Sequence, residues 1–153
     1  IRFGMTMGIS GTLINTSYYG NGPWETYRDR KLSSDIDEFS LKTDNIYYNY
    51  PDLQETVNHT DTRWVKFTLG SGKKEQGMIF SGFPTFSFAV WPYSFDNIDK
   101  AKYQYDLVAQ GFCTLNIDAA QAPIGGILEE LLPQYLLNSG KYSLKFVFGS
   151  LNK

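Results

Sequence analysis

Acidic side chains are the residues of this sequence best suited to acid and base chemistry. Hydrolysis of a glycosidic bond uses two carboxyl groups that face each other across a sugar, about 5 Å apart when configuration is retained. The sequence has 16 Asp and Glu residues, and its densest groups are Glu129–Glu130 and Asp35–Glu38. Adjacent residues of a strand point to opposite faces, so neither group is expected to form such a pair. We therefore predict solvated carboxylates and no catalytic residue in this chain.

His59 and Cys113 are the only histidine and the only cysteine. One residue of each type excludes a multi-histidine zinc site, a thiolate cluster and an internal disulfide, so no metal or cofactor is predicted. His59 follows Asn58 in a polar segment and is predicted to lie at the surface or to tether a loop. In a cleft beside a carboxylate, however, it would suit an aldose mutarotase. Cys113 lies in an apolar segment and is predicted to pack in the core.

Three tryptophans could stack on the C–H face of a sugar ring, because an indole presents a large flat surface. Trp64 lies in an alternating, strand-like segment and is expected in the core. Trp24 and Trp91 each neighbour a proline in turn-like segments, where either could be exposed. Two tryptophans exposed on one face would favour a carbohydrate-binding module.

Alternating apolar and polar residues recur along the chain, as half-buried strands require. The clearest of these segments are 2–7, 63–69, 85–90 and 142–148, and clusters of turn-forming residues lie at 20–23, 70–73, 81–84 and 138–140. Many short strands with such turns predict an all-β fold, an antiparallel β-sandwich, in one domain over residues 1–153.

One or two short helices are expected within this all-β fold. Ser94 could cap a helix from Phe95 to about Lys102. The segment Ile127–Leu132 has room for one or two helical turns before Pro133 ends it.

Charge and composition limit the partners of the chain. The formal net charge is −2, and the basic residues are scattered, so no nucleic-acid partner is predicted. No apolar run approaches the roughly 18 residues of a membrane span. The chain begins at Ile1 inside a strand-like pattern without an initiator methionine, so we expect a portion of a longer protein.

The longest recognisable motif begins at Gly20. Gly20–Arg30 reads GNGPWETYRDR and resembles the G-x-G-P-x-E-x-Y-x-D-R signature in the C-terminal domain of family 2 glycoside hydrolases with β-galactosidase activity. Gln54–Trp64 is similar to the family stretch Q-E-x-G-N-R-x-D-x-R-W, with Val57 and His59 in place of its Gly and Arg.

Further matches extend the resemblance over essentially the whole chain. Phe86–Ser94 is similar to the family segment F-x-F-x-x-S-P-Y-S, and Leu115–Asp118 matches its L-N-I-D strand. Gly125–Gly126 correspond to the middle of its G-[IV]-G-G-D-D-S-W loop, and Tyr142–Phe148 to its last strand. The sequence departs from this loop at Ile127–Leu132, which contain neither the paired Asp nor the Trp.

The resemblance implies a super-sandwich related to the galactose mutarotase fold, of which this chain would be the latter part. In this family the catalytic glutamates lie in a separate (β/α)₈ barrel. The expected role is therefore a non-catalytic accessory domain that packs on the barrel and shapes its sugar-binding entrance. Expected partners are the barrel and other domains of the parent, a β-galactoside, and a second copy through an exposed edge or face. The compartment stays open between bacterial cytoplasm and periplasm.

The resemblance also assigns residues to expected roles. The structural motif comprises Gly22 and Pro23, which form the turn, and the charged and aromatic cluster Glu25, Tyr27, Asp29 and Arg30 after it, which is expected to form a hydrogen-bonded brace. Residues expected near the sugar are Arg63, Trp64, Trp91 and Glu130. A carbohydrate-binding module and a mutarotase-like enzyme stay open as alternatives.

Overall fold

The computed structural model describes residues 1–42, 47–48, 50–71, 74–125 and 130–151. Within these ranges the strands are β1 (Arg2–Ser10), β2 (Thr12–Gly22), β3 (Asp35–Lys42), β4 (His59–Ser71), β5 (Lys74–Trp91), β6 (Phe112–Gln121) and β7 (Phe146–Leu151). The α-helix α1 (Phe95–Lys100) follows β5, and single 3₁₀ turns lie at Gln104–Asp106 and Pro133–Tyr135. Each pair of these strands is antiparallel, which confirms the all-β prediction.

The strands form one sheet in the order β1-β6-β5-β4-β2-β3, with β7 also paired to β5. The 18-residue β5 pairs with β4 along one edge, and its other edge pairs with β7 and then with β6. Its residues Gly77–Gly82 pair with β7, and Ser87–Trp91 pair with β6. We call β1, β6 and Ser87–Trp91 the first leaf, and β2, β3, β4, β7 and the earlier part of β5 the second leaf. Register shifts between His59 and Trp64 of β4 lie where β5 passes from one leaf to the other, and irregularities of this kind bend a sheet.

The core lies where the inner faces of the two leaves meet. The ring of Phe88 in the first leaf lies 5.2 Å from Tyr18 and 6.3 Å from Phe67 in the second, measured between ring centroids. Other buried members are Ile9, Val90, Cys113, Leu115 and Ile117 from the first leaf and Leu13, Val65, Leu69 and Phe80 from the second. Burial of each such side chain contributes about 1.5–3 kcal/mol for the larger aliphatic and aromatic residues. The bent sheet thus supplies both layers of a sandwich, and the predicted core position of Cys113 is confirmed.

The helix α1 covers the outer face of the first leaf. The Ser94 hydroxyl accepts a hydrogen bond of 3.1 Å from the amide of Asn97, as expected of an N-cap residue. The helix ends at Lys100 because Ala101 is extended, which is two residues before the predicted end. Ile98 packs against the fully buried Trp91. Neither α1 nor the 3₁₀ turns in the described ranges has the length and apolar character to cross a bilayer.

Two predicted turns are strands in the structure. Gly20–Gly22 continue β2, and a Cβ atom on Gly20 would lie 2.9 Å from the Cα of Thr62. Ser81–Pro84 lie within β5, and a Cβ on Gly82 would lie 2.5 Å from the Phe86 ring. These glycines serve close packing rather than chain reversal, which a turn pattern does not distinguish.

The structure also differs from two predictions near the C-terminus, the strand at 142–148 and the helical turns at 127–132. The ladder between β5 and β7 ends at the pair Gly82–Phe146, so 142–145 are not strand although 142–148 were expected to be. Pro84 has no N–H with which to extend the ladder. In the segment 127–132, residues 127–129 lie outside the described residues, and 130–132 are not helical.

Candidate functional site

Glu25 is the centre of a buried brace that joins two loops. Its side chain accepts hydrogen bonds from the amide of Val57 at 2.8 Å and the guanidinium of Arg30 at 2.7 Å. It also accepts from the hydroxyls of Tyr27, at 3.2 Å, and Tyr50. Burial raises the pKa of Tyr27, and the neighbouring carboxylate of Glu25 raises it further. These bonds use both oxygens of Glu25 and fix the loop after β2 against the segment before β4.

Asp29 forms a second anchor on the same loop. Its two carboxylate oxygens accept hydrogen bonds from the backbone amides of Ile124, at 3.2 Å, and Gly125, at 2.9 Å. Gly125 has φ of 74°, a conformation that favours glycine. A Cβ atom placed there would lie 3.0 Å from the side chain of Leu131. Asp29 therefore holds the described residues that immediately precede the Gly126–Leu132 segment.

Hydrogen bonds between polar groups connect the loop after β2 to the start of β4. Thr26 donates its amide to the Asn58 carbonyl at 2.6 Å, and the Asn58 side-chain amide donates to the Thr26 carbonyl at 2.8 Å. The side chain of Asn21 donates to Thr60 at 2.9 Å and to Asp61 at 2.7 Å. All but Asp61 are buried, so each polar atom satisfied here avoids a desolvation cost of about 1–3 kcal/mol.

A polar cavity of about 140 Å³ opens beside this network. Most of its lining residues are polar, among them Arg28, Lys31, Asp61 and Gln121, and Phe86 and two alanines complete it. The ammonium group of Lys31 lies 2.6 Å from the Asp61 carboxylate. This lining suits water or a hydroxylated group better than an apolar ligand.

The residues expected near the sugar do not form one cluster. Trp91 is fully buried under α1, and Trp64 is half-buried on the outer face of the second leaf. Arg63 lies over the Tyr19 ring, with its guanidinium carbon 5.0 Å from the centroid. Glu130 is exposed, next to the undescribed residues 126–129. Trp24, by contrast, is 64% exposed.

His59 lies in the core, so its predicted surface position is wrong. Its ring packs 4.4 Å from Tyr18 and 5.2 Å from Phe88, between centroids. Its Nδ1 lies 3.2 Å from the carbonyl oxygen of Asn21, and no solvent reaches the side chain. Burial lowers the pKa of His59 to about 4, so the ring is neutral at pH 7. The neutral imidazole fills an aromatic layer that local polarity did not predict.

The sequence analysis missed two residues of the site, Tyr50 and Val57. Tyr50, whose hydroxyl reaches Glu25, belongs to a tyrosine-rich segment without a recognisable motif. Val57 adopts φ of 62° at the position where the resembling family has Gly, a left-handed conformation that is unusual for a β-branched residue. That replacement was visible in the sequence and could have indicated the sharp backbone turn after Thr56.

Arg2 and Asp118 form a further buried contact on the first leaf. The guanidinium of Arg2 lies 3.4 Å from Asp118 and also bonds Glu55. Burial raises the pKa of Asp118 to about 6, although Arg2 opposes that change. Among the described residues no group of three or more His, Cys, Asp or Glu side chains is arranged to hold a metal ion.

Comparison with known proteins gives one consistent family. The family model described as "Beta galactosidase small chain" matches residues 1–148. A β-galactosidase of Streptococcus thermophilus is 30% identical over 99% of this chain, and one of Staphylococcus xylosus is 31% identical over 95%. The β-galactosidase BgaC of Bifidobacterium adolescentis is 32% identical over 81%. The chain spans only 12 to 15% of the length of these relatives. By its sequence, then, this chain belongs to the β-galactosidase small-chain family.

Proposed function

We propose that this chain is a non-catalytic accessory domain of a β-galactosidase. It packs on the catalytic barrel and other domains of the parent and shapes the entrance to the sugar site. In this proposal residues 1–153 are the latter part of a larger super-sandwich. The support is the family match together with the 12 to 15% share of the matched β-galactosidases that the chain covers.

The observation that carries the proposal is how the motif carboxylates are used. Glu25 accepts bonds from a backbone amide, a guanidinium and two phenols, and it is 8% exposed. Asp29 accepts hydrogen bonds from two backbone amides. A general acid or nucleophile needs a free face toward substrate. These carboxylates instead hold loops, which is what an accessory domain requires.

The mutarotase alternative depended on His59 in a cleft beside a carboxylate. The side chain of His59 is fully buried between two aromatic rings, and its pKa of about 4 leaves it a weak base. A sugar has no path to this group in the folded domain. The geometry therefore disfavours that alternative.

Exposed apolar side chains favour contact with neighbouring domains. Phe3 and Met5 of β1 are 45% and 36% exposed, and Val147 and Phe148 of β7 are 61% and 66% exposed. Among the described strands, β7 pairs with β5. Exposed apolar side chains of this kind are usually covered in a complete protein.

The test compares the full-length parent with the isolated domain on a chromogenic β-galactoside. We expect hydrolysis by the full-length protein and none by the domain, with circular dichroism establishing that the domain is folded. A full-length protein in which residues 1–153 are deleted should lose most of its kcat/KM. Turnover by the folded domain alone would refute the accessory role.

A carbohydrate-binding module is the second candidate, because one pocket is lined by aromatic rings. Trp24, Tyr48 and Tyr50 line it, together with Arg30 and Glu25. Flat rings suit the C–H face of a pyranose, and the charged pair suits its hydroxyls. Calorimetric titration of the domain with galactose would test this, with Trp24→Ala abolishing any heat of binding and Trp64→Ala serving as the control. Absence of binding to the wild-type domain would eliminate this candidate.

A further inference from the structure

We infer that the polar cavity between the loop after β2 and the end of β6 is a binding site for a neutral, polyhydroxylated molecule of monosaccharide size. The cavity has a volume of about 140 Å³, and Arg28, Lys31, Asp61 and Gln121 are among its lining residues. All of its lining residues belong to the described part of this chain, so the inference does not rest on the proposed accessory role.

Asp61 lines the cavity from an unusual backbone conformation. Its φ is 53°, in the left-handed region that few residues other than glycine adopt. It lies in β4 between His59 and Thr62, where the register with β5 shifts. Irregularities of this kind re-aim a side chain and are over-represented next to active sites. The backbone of β4 is therefore shaped around Asp61 in a way that a regular strand would not be.

The Asp61 carboxylate is held through one oxygen and open at the other. Its Oδ2 accepts hydrogen bonds from the side-chain amide of Asn21 at 2.7 Å and from the ammonium group of Lys31 at 2.6 Å. Its Oδ1 accepts none from the described residues. The Lys31 ammonium has three N–H donors, of which this ion pair uses one. A fixed pair with an open acceptor and open donors is preorganised for a group that both donates and accepts.

The charges of the lining favour a neutral ligand over an anion. The positive charge of Lys31 is balanced by Asp61 at 2.6 Å, and an anion beside this pair would face the open oxygen of the carboxylate. Arg28 is the third charged residue of the lining, and it is exposed to solvent, which screens its charge. A hydroxyl group donates one hydrogen bond and accepts others, so it suits this mixed lining better than a carboxylate or a phosphate does.

The size and the apolar part of the cavity fit one sugar ring. A cavity of about 150 Å³ accommodates a six-membered ring such as benzene. The 140 Å³ here therefore has room for one pyranose ring and not for two. Phe86 and two alanines complete the lining and offer apolar contact to the C–H groups of such a ring.

The experiment measures hydrogen exchange in the full-length protein that carries this chain, with galactose and glucose as separate probes. A ligand of about 12 non-hydrogen atoms with ordinary ligand efficiency has a Kd on the order of 1 mM. At about ten times its Kd, at least one of the two sugars should slow exchange of the peptides covering 57–62 and 118–121 by about tenfold.

Two variants test the site by different routes. Asp61→Asn removes the charge of the acceptor while Asn tolerates the left-handed backbone, and it should weaken binding about tenfold or more. Ala120→Leu keeps every charge and fills part of the cavity, so it should also remove the slowing of exchange. Asp37→Asn is the matched control, because Asp37 is an exposed acid of β3 away from the cavity, and it should behave as wild type.

Three results would overturn the inference. One is that neither sugar slows exchange in the wild-type protein. The second is slowing that persists at full size in Asp61→Asn or in Ala120→Leu, which means that the sugar binds elsewhere in the protein. The third is slowing by inorganic phosphate and by neither sugar, which would make the cavity an anion site.

Discussion

At the scale of single residues, Gly22 lies where an added side chain would clash with its neighbours. A Cβ atom there would lie 2.3 Å from the Tyr18 hydroxyl and 2.6 Å from the Phe39 ring, and Tyr18 is fully buried. Gly22→Ala should lower the free energy of unfolding by about 1–3 kcal/mol through overpacking. Gly111→Ala, where nothing lies within 4 Å of the added atom, should stay within about 0.5 kcal/mol in the same urea titration. Equal effects of the two substitutions would contradict the packing argument.

Two buried titratable residues give the stability opposite dependences on pH. The pKa of His59 is about 4 in the folded protein against an ordinary value of 6.5, so its contribution is lost as pH falls from about 6.5 to 4. The pKa of Asp118 is about 6 in the folded protein against an ordinary value of 3.8, so its contribution is lost as pH rises from about 4 to 6. The two slopes should largely cancel in the wild-type protein.

Substitution of either residue should reveal the pH dependence of stability that the other one contributes. Urea titrations of His59→Gln between pH 4 and 6.5 should show stability that falls with rising pH, by at most about 1.4 kcal/mol per pH unit. Asp118→Asn should show the reverse slope. If both variants keep the wild-type pH dependence, these residues do not titrate as the structure indicates.

At the scale of elements, α1 depends on its cap because it has only six residues. Ser94→Ala removes the hydroxyl that accepts from Asn97 and should destabilise the protein by about 1 kcal/mol. Ser143→Ala, at an exposed position outside the strands, should have little effect. Trp fluorescence is a suitable probe, because α1 packs over Trp91. A Ser94→Ala variant as stable as Ser143→Ala would mean that the cap does not stabilise the helix.

The sequence predicted local features better than long-range ones. The cap at Ser94 depends on residues three positions apart, and the strand alternation of β1 and β4 on neighbours two apart. His59 was misplaced because its burial comes from Tyr18 and Phe88, which are distant in sequence. The site shows the same division: the motif identified Glu25 and Asp29, but their partners Tyr50 and Ile124 lie 25 and 95 residues away.

At the scale of the whole molecule, the isolated domain is expected to associate through the exposed apolar side chains of β7. Val147 on β7 is 61% exposed, and a lysine there would oppose apolar contact between two copies. Sedimentation of the isolated domain should show dimers that Val147→Lys converts to monomers. Val108→Lys is a matched control, since Val108 is also 61% exposed but lies in a loop. A monomeric wild-type domain, or equal effects of both lysines, would contradict this expectation.

Because both leaves share strand β5, a destabilising change in one leaf is expected to affect the stability of the whole domain. Because β5 contributes residues to both leaves, heat cannot melt one leaf and leave the other native, so the domain should unfold in a single cooperative transition. A destabilising change at a remote edge, such as β3, then lowers the population of the entire folded domain. In a β-galactosidase that carries it, such a change would reduce the number of competent molecules at a given temperature while each surviving molecule kept its normal kinetics.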